Sequence, residues 1–172
     1  MHISDSPILQ AIHERRSIRH FEDAPVSRDL IITALEAASW APSGINNQPW
    51  RFAIIWDKPT QEALADLSKY SGILKAAAVL IAVFLDKAAS YDYTKDCQAV
   101  GACLQNLLLS LHSMDLGAVW IGEILRNKEP VRETLKLPER IELMAVVAVG
   151  HPAHRNQKSQ RRSMEELILL EK

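Results

Sequence analysis

The chain has 172 residues, 48% hydrophobic and 24% charged, a composition and length that fit one globular domain with a real core. Its formal net charge of −1 excludes the broad basic field that attracts nucleic acid or an anionic membrane. "MHISDSPILQ" lacks the apolar stretch of a signal peptide, and the longest apolar run, "AAAVLIAVFL", is too short to span a bilayer, so a soluble cytoplasmic protein is expected.

In chain order, Ser6 and Pro7 open a helix over "ILQAIHERR", with a capping hydroxyl followed by proline at the first helical position. Ser27 caps "RDLIITALEAASW", whose Leu30, Ile31, Ala34, Leu35 and Ala38 form an apolar stripe. Pro42, Ser43 and Gly44 stop that helix and open the polar loop "APSGINNQPW". "RFAIIW" reads as a short strand, and Thr60 starts a helix over "QEALADLSKY". "AVLIAVFL" is continuously apolar, as in a central strand covered on both faces.

The longest helical pattern, "TKDCQAVGACLQNLLLSLHSM", is apolar over more than half its circumference and is expected to end at Gly117. "AVWIG" is a short strand or extended segment, Asn127 caps "KEPVRETLKL", and "ELMAVVAVG" is a second strand buried on both faces. A polar connector, "HPAHRNQKSQRR", leads to "SMEELILL", where Ser163 and Glu166 have capping-box spacing. That last segment is too short to be a helix alone, so it must dock, and a partner subunit is a candidate. The expectation is one α+β domain over residues 1–172, a central mixed or antiparallel sheet sandwiched by helices.

Local chemistry concentrates in "ERRSIRHF". Arg15, Arg16 and Arg19 surround Ser17, more cations than helix capping requires, and guanidinium forks with a hydroxyl suit phosphate oxygens. A solvated surface cluster is the competing reading. In "SGINNQPW", Asn46, Asn47 and Gln48 bring paired donors and acceptors that suit a planar heterocycle, or simply build a turn-rich loop. Gly117 and Gly122 bracket a short strand that a ligand could approach, and Lys158, Arg161 and Arg162 make the connector basic.

The six histidines show no metal spacing, so no metal is expected. Cys97 and Cys103, six apart, read as small buried hydrophobes. No nucleophile elbow, phosphate-cradling loop or dinucleotide fingerprint is present. An enzyme of this composition would take its chemistry from a cofactor.

The order "ERRSIRHF", "APSGINNQPWRF", D-x-x-A-x-G-A-x-L-Q-N-L-L-L leading into "LGAVWIGE", then "AVVAVGHP" and "RRSMEEL" resembles the FMN-dependent nitroreductase family over nearly the whole chain. The resemblance implies an intertwined homodimer with an exchanged C-terminal tail and one FMN per subunit, touched by both chains. It implies ping-pong hydride transfer from NADH or NADPH to nitroaromatics, quinones or similar small acceptors, at flavin N5 and without a catalytic side chain.

Carried onto this chain, Arg15, Ser17 and Arg19 match positions around the FMN phosphate, ribityl chain and pyrimidine edge, and Arg16 a position where histidine also occurs. Pro42, Ser43, Gly44 and Asn46, with Gln48, match the loop that the partner lays on the isoalloxazine. Ile121 and Gly122 match the segment whose backbone N–H meets N5. Arg161 matches a basic residue closing over the phosphate, with Lys158 or Arg162 as further candidates. Gly44 stands where many members have a second serine. The short link "DKAASYDY" replaces elements that wall the substrate pocket in larger relatives. Alternatives are a non-redox dimer that stores flavin or holds a phosphorylated ligand, or another flavin reaction such as dehalogenation or peptide heterocycle oxidation.

Overall fold

A computed structural model of the chain describes residues 6–172. Four strands, β1 (Trp50–Ile55), β2 (Val79–Asp86), β3 (Gly117–Ile121) and β4 (Ile141–Gly150), form a sheet in the order β1-β2-β4-β3. Every neighbouring pair is antiparallel. The two continuously apolar runs are the central strands β2 and β4. Along β2, Val79, Ile81, Val83 and Leu85 enter one core while Leu80, Ala82 and Phe84 enter the other, the period-two alternation of an extended chain.

Helices α2 (Arg28–Ser39) and α5 (Tyr93–Ser113) cover the first face, and α3 (Lys58–Ala65), α4 (Ser71–Ala76) and α6 (Lys128–Thr134) the second. Helices α1 (Pro7–Glu14) and α7 (Met164–Leu167) have no buried residue. The Ser6, Ser27 and Ser163 side chains accept the first-turn N–H groups expected of caps.

Several boundaries differ from the sequence expectation. Helix α1 stops at Glu14, so the arginines occupy an extended segment rather than a helix C-terminus. The third helix begins at Lys58 because Asp57, not a later residue, caps it; it ends at Ala65, and α4 was not foreseen. Asn127 precedes α6 but donates to the Leu67 carbonyl at 2.6 Å instead of capping. Cys103 is buried and its thiol pushed up to about 12 by burial, whereas Cys97 is half-buried.

Gly117 does not end α5. Asp115 does, at φ 60°. The Leu116 N–H reaches the Leu111 carbonyl at 2.9 Å and the Asp115 N–H the His112 carbonyl at 3.1 Å, a Schellman closure with a non-glycine residue in the left-handed position. Asp115→Gly should therefore raise the thermal midpoint by about 2 °C. A lower midpoint would show that the ion pair with Arg155, at 3.9 Å, outweighs the backbone.

Candidate functional site

Beyond Glu14 the backbone turns extended at Arg15 (φ −52°, ψ 131°) and runs beside β3. Ser17 bridges Ala118 in parallel, and the Ile18 N–H donates to the Ala118 carbonyl at 3.0 Å. Ile18 is buried, packed so closely on Gly117 that a Cβ there would lie 2.7 Å from its Cγ2. Gly117 thus admits Ile18 rather than a ligand. Ile18 is the apolar pin that fixes the polar residues on either side of it.

Arg15, Arg16 and Arg161 are brought together. The Arg16 guanidinium donates to the His13 carbonyl at 2.5 Å and the Arg15 carbonyl at 2.8 Å. It lines a hollow of about 230 Å³ with Ser159 and Arg161, and Arg161 itself donates to Ser159 and to the Gln160 carbonyl. Burial, then the charges of Arg16 and Arg161, pulls the Arg15 pKa below its ordinary value. Among the described residues no ion pair includes Arg15, Arg16, Arg19, Lys158, Arg161 or Arg162. The Nε atoms of Arg15 and Arg16 are buried without a hydrogen-bond partner. Like charges held together and partly desolvated are unfavourable, and a polyoxygen anion would relieve all three at once. The donor set fits a phosphate.

Arg19 lies apart from this cluster. It lines a hollow of about 430 Å³ with Phe21, Lys69 and Tyr70, and Lys69 sits 5.2 Å from the Tyr70 ring centroid. Lys69 was not singled out in the sequence, where nothing in "LSKY" distinguishes it from a surface lysine. Glu123 accepts from the Ser68 hydroxyl at 2.8 Å and the Lys69 N–H at 3.2 Å, so the Gly122–Glu123 turn is tied to the same segment. The Ser68 hydrogen bond, foremost, holds the Glu123 carboxyl below its usual range. The Ile121 side chain is buried in the second core, while Gly122 is exposed and its backbone open.

The 42–48 loop is a separate unit. Ser43 Oγ accepts the Gln48 N–H at 3.1 Å, and the Gln48 side chain donates to the Asn46 carbonyl at 3.2 Å. Ile45, Asn46 and Gln48 have positive φ. Asn46 and Gln48 are exposed, but Asn47 points inward, donating to the Ala89 carbonyl at 2.9 Å and Asp96 Oδ1 at 2.6 Å. Asn47 is an anchor, not a reader of ligands.

Asp96 is the residue that sequence reasoning missed. It is buried and accepts from Asn47, the Ser90 hydroxyl at 2.6 Å and the Tyr91 and Asp92 N–H groups at 3.1 and 3.2 Å. Burial alone would raise its carboxyl; the bonds from Ser90 and Asn47 overcome that and hold it below the usual carboxylate range. In the sequence it is only the leading acid of D-x-x-A-x-G-A-x-L-Q-N, with nothing local to show what it binds.

The loop hollow is lined by Gln98 on α5, whereas the hollow beside Arg16 is lined by His112 near the other end of that helix. They are fourteen positions apart in the helix, roughly 20 Å at 1.5 Å per residue. One chain therefore does not join the loop to the arginines. Lys158 and Arg162 are exposed.

The nitroreductase family model matches residues 12–70 and 56–151. A Methanothermobacter thermautotrophicus protein provisionally named NADH dehydrogenase/NAD(P)H nitroreductase is 33% identical over 156 residues, covering 88% of this chain and 80% of that one. A protein of the same provisional name from Archaeoglobus fulgidus is 34% identical, covering 84% of each chain. The crystal structure of a provisionally named nitroreductase with FMN, from Desulfovibrio desulfuricans, superposes with a TM-score of 0.93 at 47% identity, covering 97% of this chain and 98% of that one.

Proposed function

This chain belongs to the nitroreductase family, and from that premise we propose that it is an FMN-dependent NAD(P)H oxidoreductase that reduces small acceptors as a homodimer. The observation that carries the reading is the Arg15–Arg16–Arg161 cluster, three guanidinium groups with no counter-anion among the described residues. The FMN in the 47% identical structure supports the choice of ligand. Bound FMN would supply the redox chemistry, accepting hydride from the nicotinamide and delivering it to the acceptor.

The protein's own residues would then divide the work. Arg15, Arg16 and Arg161, with the Ser17 hydroxyl, would hold the phosphate. Arg19, with Lys69 beside it, would hold the pyrimidine edge and place positive charge there. The open backbone at Gly122 would meet N5. The whole chain would serve as one FMN-binding domain. Its partner would supply Pro42, Ser43, Gly44, Asn46 and Gln48, because Gln98 beside that loop and His112 beside the arginines lie about 20 Å apart along α5. The dimer is further supported by exposed apolar side chains at Trp40, Ile45, Leu169 and Leu170, at 86, 82, 98 and 70% exposure.

The test is cofactor content and redox response. The purified protein should be yellow, release FMN on heating and bleach anaerobically with NADH or NADPH. Stoichiometric FAD, or a flavin that neither nucleotide reduces, would overturn this assignment.

A further inference from the structure

The link after β2 is too short to carry a separate helical wall, yet it is not featureless. Asp96 fixes the backbone of Tyr91 and the side chain of Asn47 with the same carboxylate, so the link and the 42–48 loop are clipped into one unit. The Tyr91 ring lies in the space that a side chain at position 44 would occupy: a Cβ on Gly44 would collide with the Tyr91 hydroxyl and ring. The glycine at position 44 and the aromatic residue in the link are therefore one feature. Glycine here makes room for the ring.

Lys95, in the first turn of α5, carries its ammonium 5.2 Å from the Tyr91 ring centroid. Its carboxylate neighbour, Asp92, is 3.9 Å away, and the lysine side chain is mostly exposed. A loose, exposed pair of this kind leaves the cation free to bind another anion. Tyr91 and Lys95 share a hollow of about 330 Å³ with Ser43, Gly44 and Gln98, within the size range of a small-ligand site. Among the described residues no carboxylate lines it.

We propose that Tyr91 and Lys95 form the acceptor-recognition wall of this protein, selecting aromatic acceptors that carry a carboxylate. The ring of such a ligand stacks on Tyr91, its carboxylate pairs with Lys95, and Gln98 and Ser43 supply further hydrogen bonds. The acceptor role rests on the proposed placement of the 42–48 loop against the partner's flavin; the affinity of the hollow for an aromatic anion does not.

Benzoate and benzamide have nearly the same shape, differ in charge and accept no hydride, so they isolate recognition from turnover. Each is titrated into the holoprotein by calorimetry and, in parallel, by the change in flavin visible absorption. Benzoate should bind about tenfold more tightly than benzamide, and Lys95→Met should remove that advantage while leaving benzamide unchanged. Tyr91→Ala should weaken both ligands, at unchanged FMN content. Equal affinities for the two ligands in the parent protein, or benzoate binding indifferent to Lys95→Met, would overturn the proposal. Lys95-dependent binding that leaves the flavin spectrum unmoved would overturn the acceptor role. Absence of FMN from the purified protein would instead refute the cofactor assignment, and calorimetry would still decide the hollow's preference.

Discussion

Arg15→Met should loosen FMN about 10–100-fold, the loss of one charge-assisted hydrogen bond, while leaving the flavin-free protein as stable as the parent or more so. The two halves of this result have opposite signs because the cluster has two states. Without an anion, Arg15 is half-buried, lacks an ion-pair partner among the described residues and feels Arg16 and Arg161 as like charges. Removing its charge relieves that repulsion, and methionine keeps the apolar stem that packs along the segment. With a phosphate present the same charge becomes a donor, and its removal is felt in full. Dissociation constants come from fluorescence of added FMN, and stability from melting of flavin-stripped protein. A variant that retains FMN but melts lower when stripped would show the cluster to be structural.

Arg19→Ala provides the contrast. Arg19 lies outside the phosphate cluster, in the hollow shared with Lys69 and Tyr70. If it serves the pyrimidine edge, its loss should lower the two-electron potential of the bound flavin by about 20–45 mV, the effect of one charge several ångströms away. Arg15→Met should leave the potential nearly unmoved, since phosphate charge does not change with redox state.

Asp96→Ala should destabilise the folded chain by about 3 kcal/mol, lowering the thermal midpoint by about 6–12 °C in a chain of this size. The carboxylate is buried and collects donors from Asn47, Ser90, Tyr91 and Asp92; without it, most of them lose their acceptor. The damage should concentrate in the 42–48 loop and the 86–92 link, seen as new protease cleavage there before global unfolding. The pH dependence has a definite sign. Hydrogen bonds depress the folded-state pKa of Asp96 despite its burial, so its ionised form stabilises the fold above the unfolded-state value of about 3.9. That contribution fades as pH falls through the folded-state value. The stability gap between the parent and Asp96→Asn should narrow below about pH 4. A midpoint change under about 2 °C for Asp96→Ala would mean the donors find water at little cost.

Much of the molecule could be read before folding was considered. The apolar runs of β2 and β4 announced strands covered on both faces, because a strand can bury consecutive side chains only when it has a core on each side. Ser6, Ser27 and Ser163 marked helix starts through local bonds that involve only neighbouring residues. The arginines were legible because charge in excess of local need is itself a signal, and their order with the later motifs carried the family.

What remained hidden depends on residues distant in sequence. The end of α5 fell to Asp115, because the backbone there closes through carbonyls already fixed by the helix, whereas Gly117 was required by Ile18, a contact across about a hundred residues. Asn47 looked like a ligand reader until Ala89 and Asp96 claimed its amide. Gly44 acquired its reason only from Tyr91, and Lys69 its neighbour Arg19 only from the packing of α4 beside the N-terminal segment. Residue type and spacing determine which groups are available for chemistry and which periodicity a segment adopts. Which of those groups are satisfied by the protein itself, and which are left facing a hollow without a partner, is decided by long-range packing.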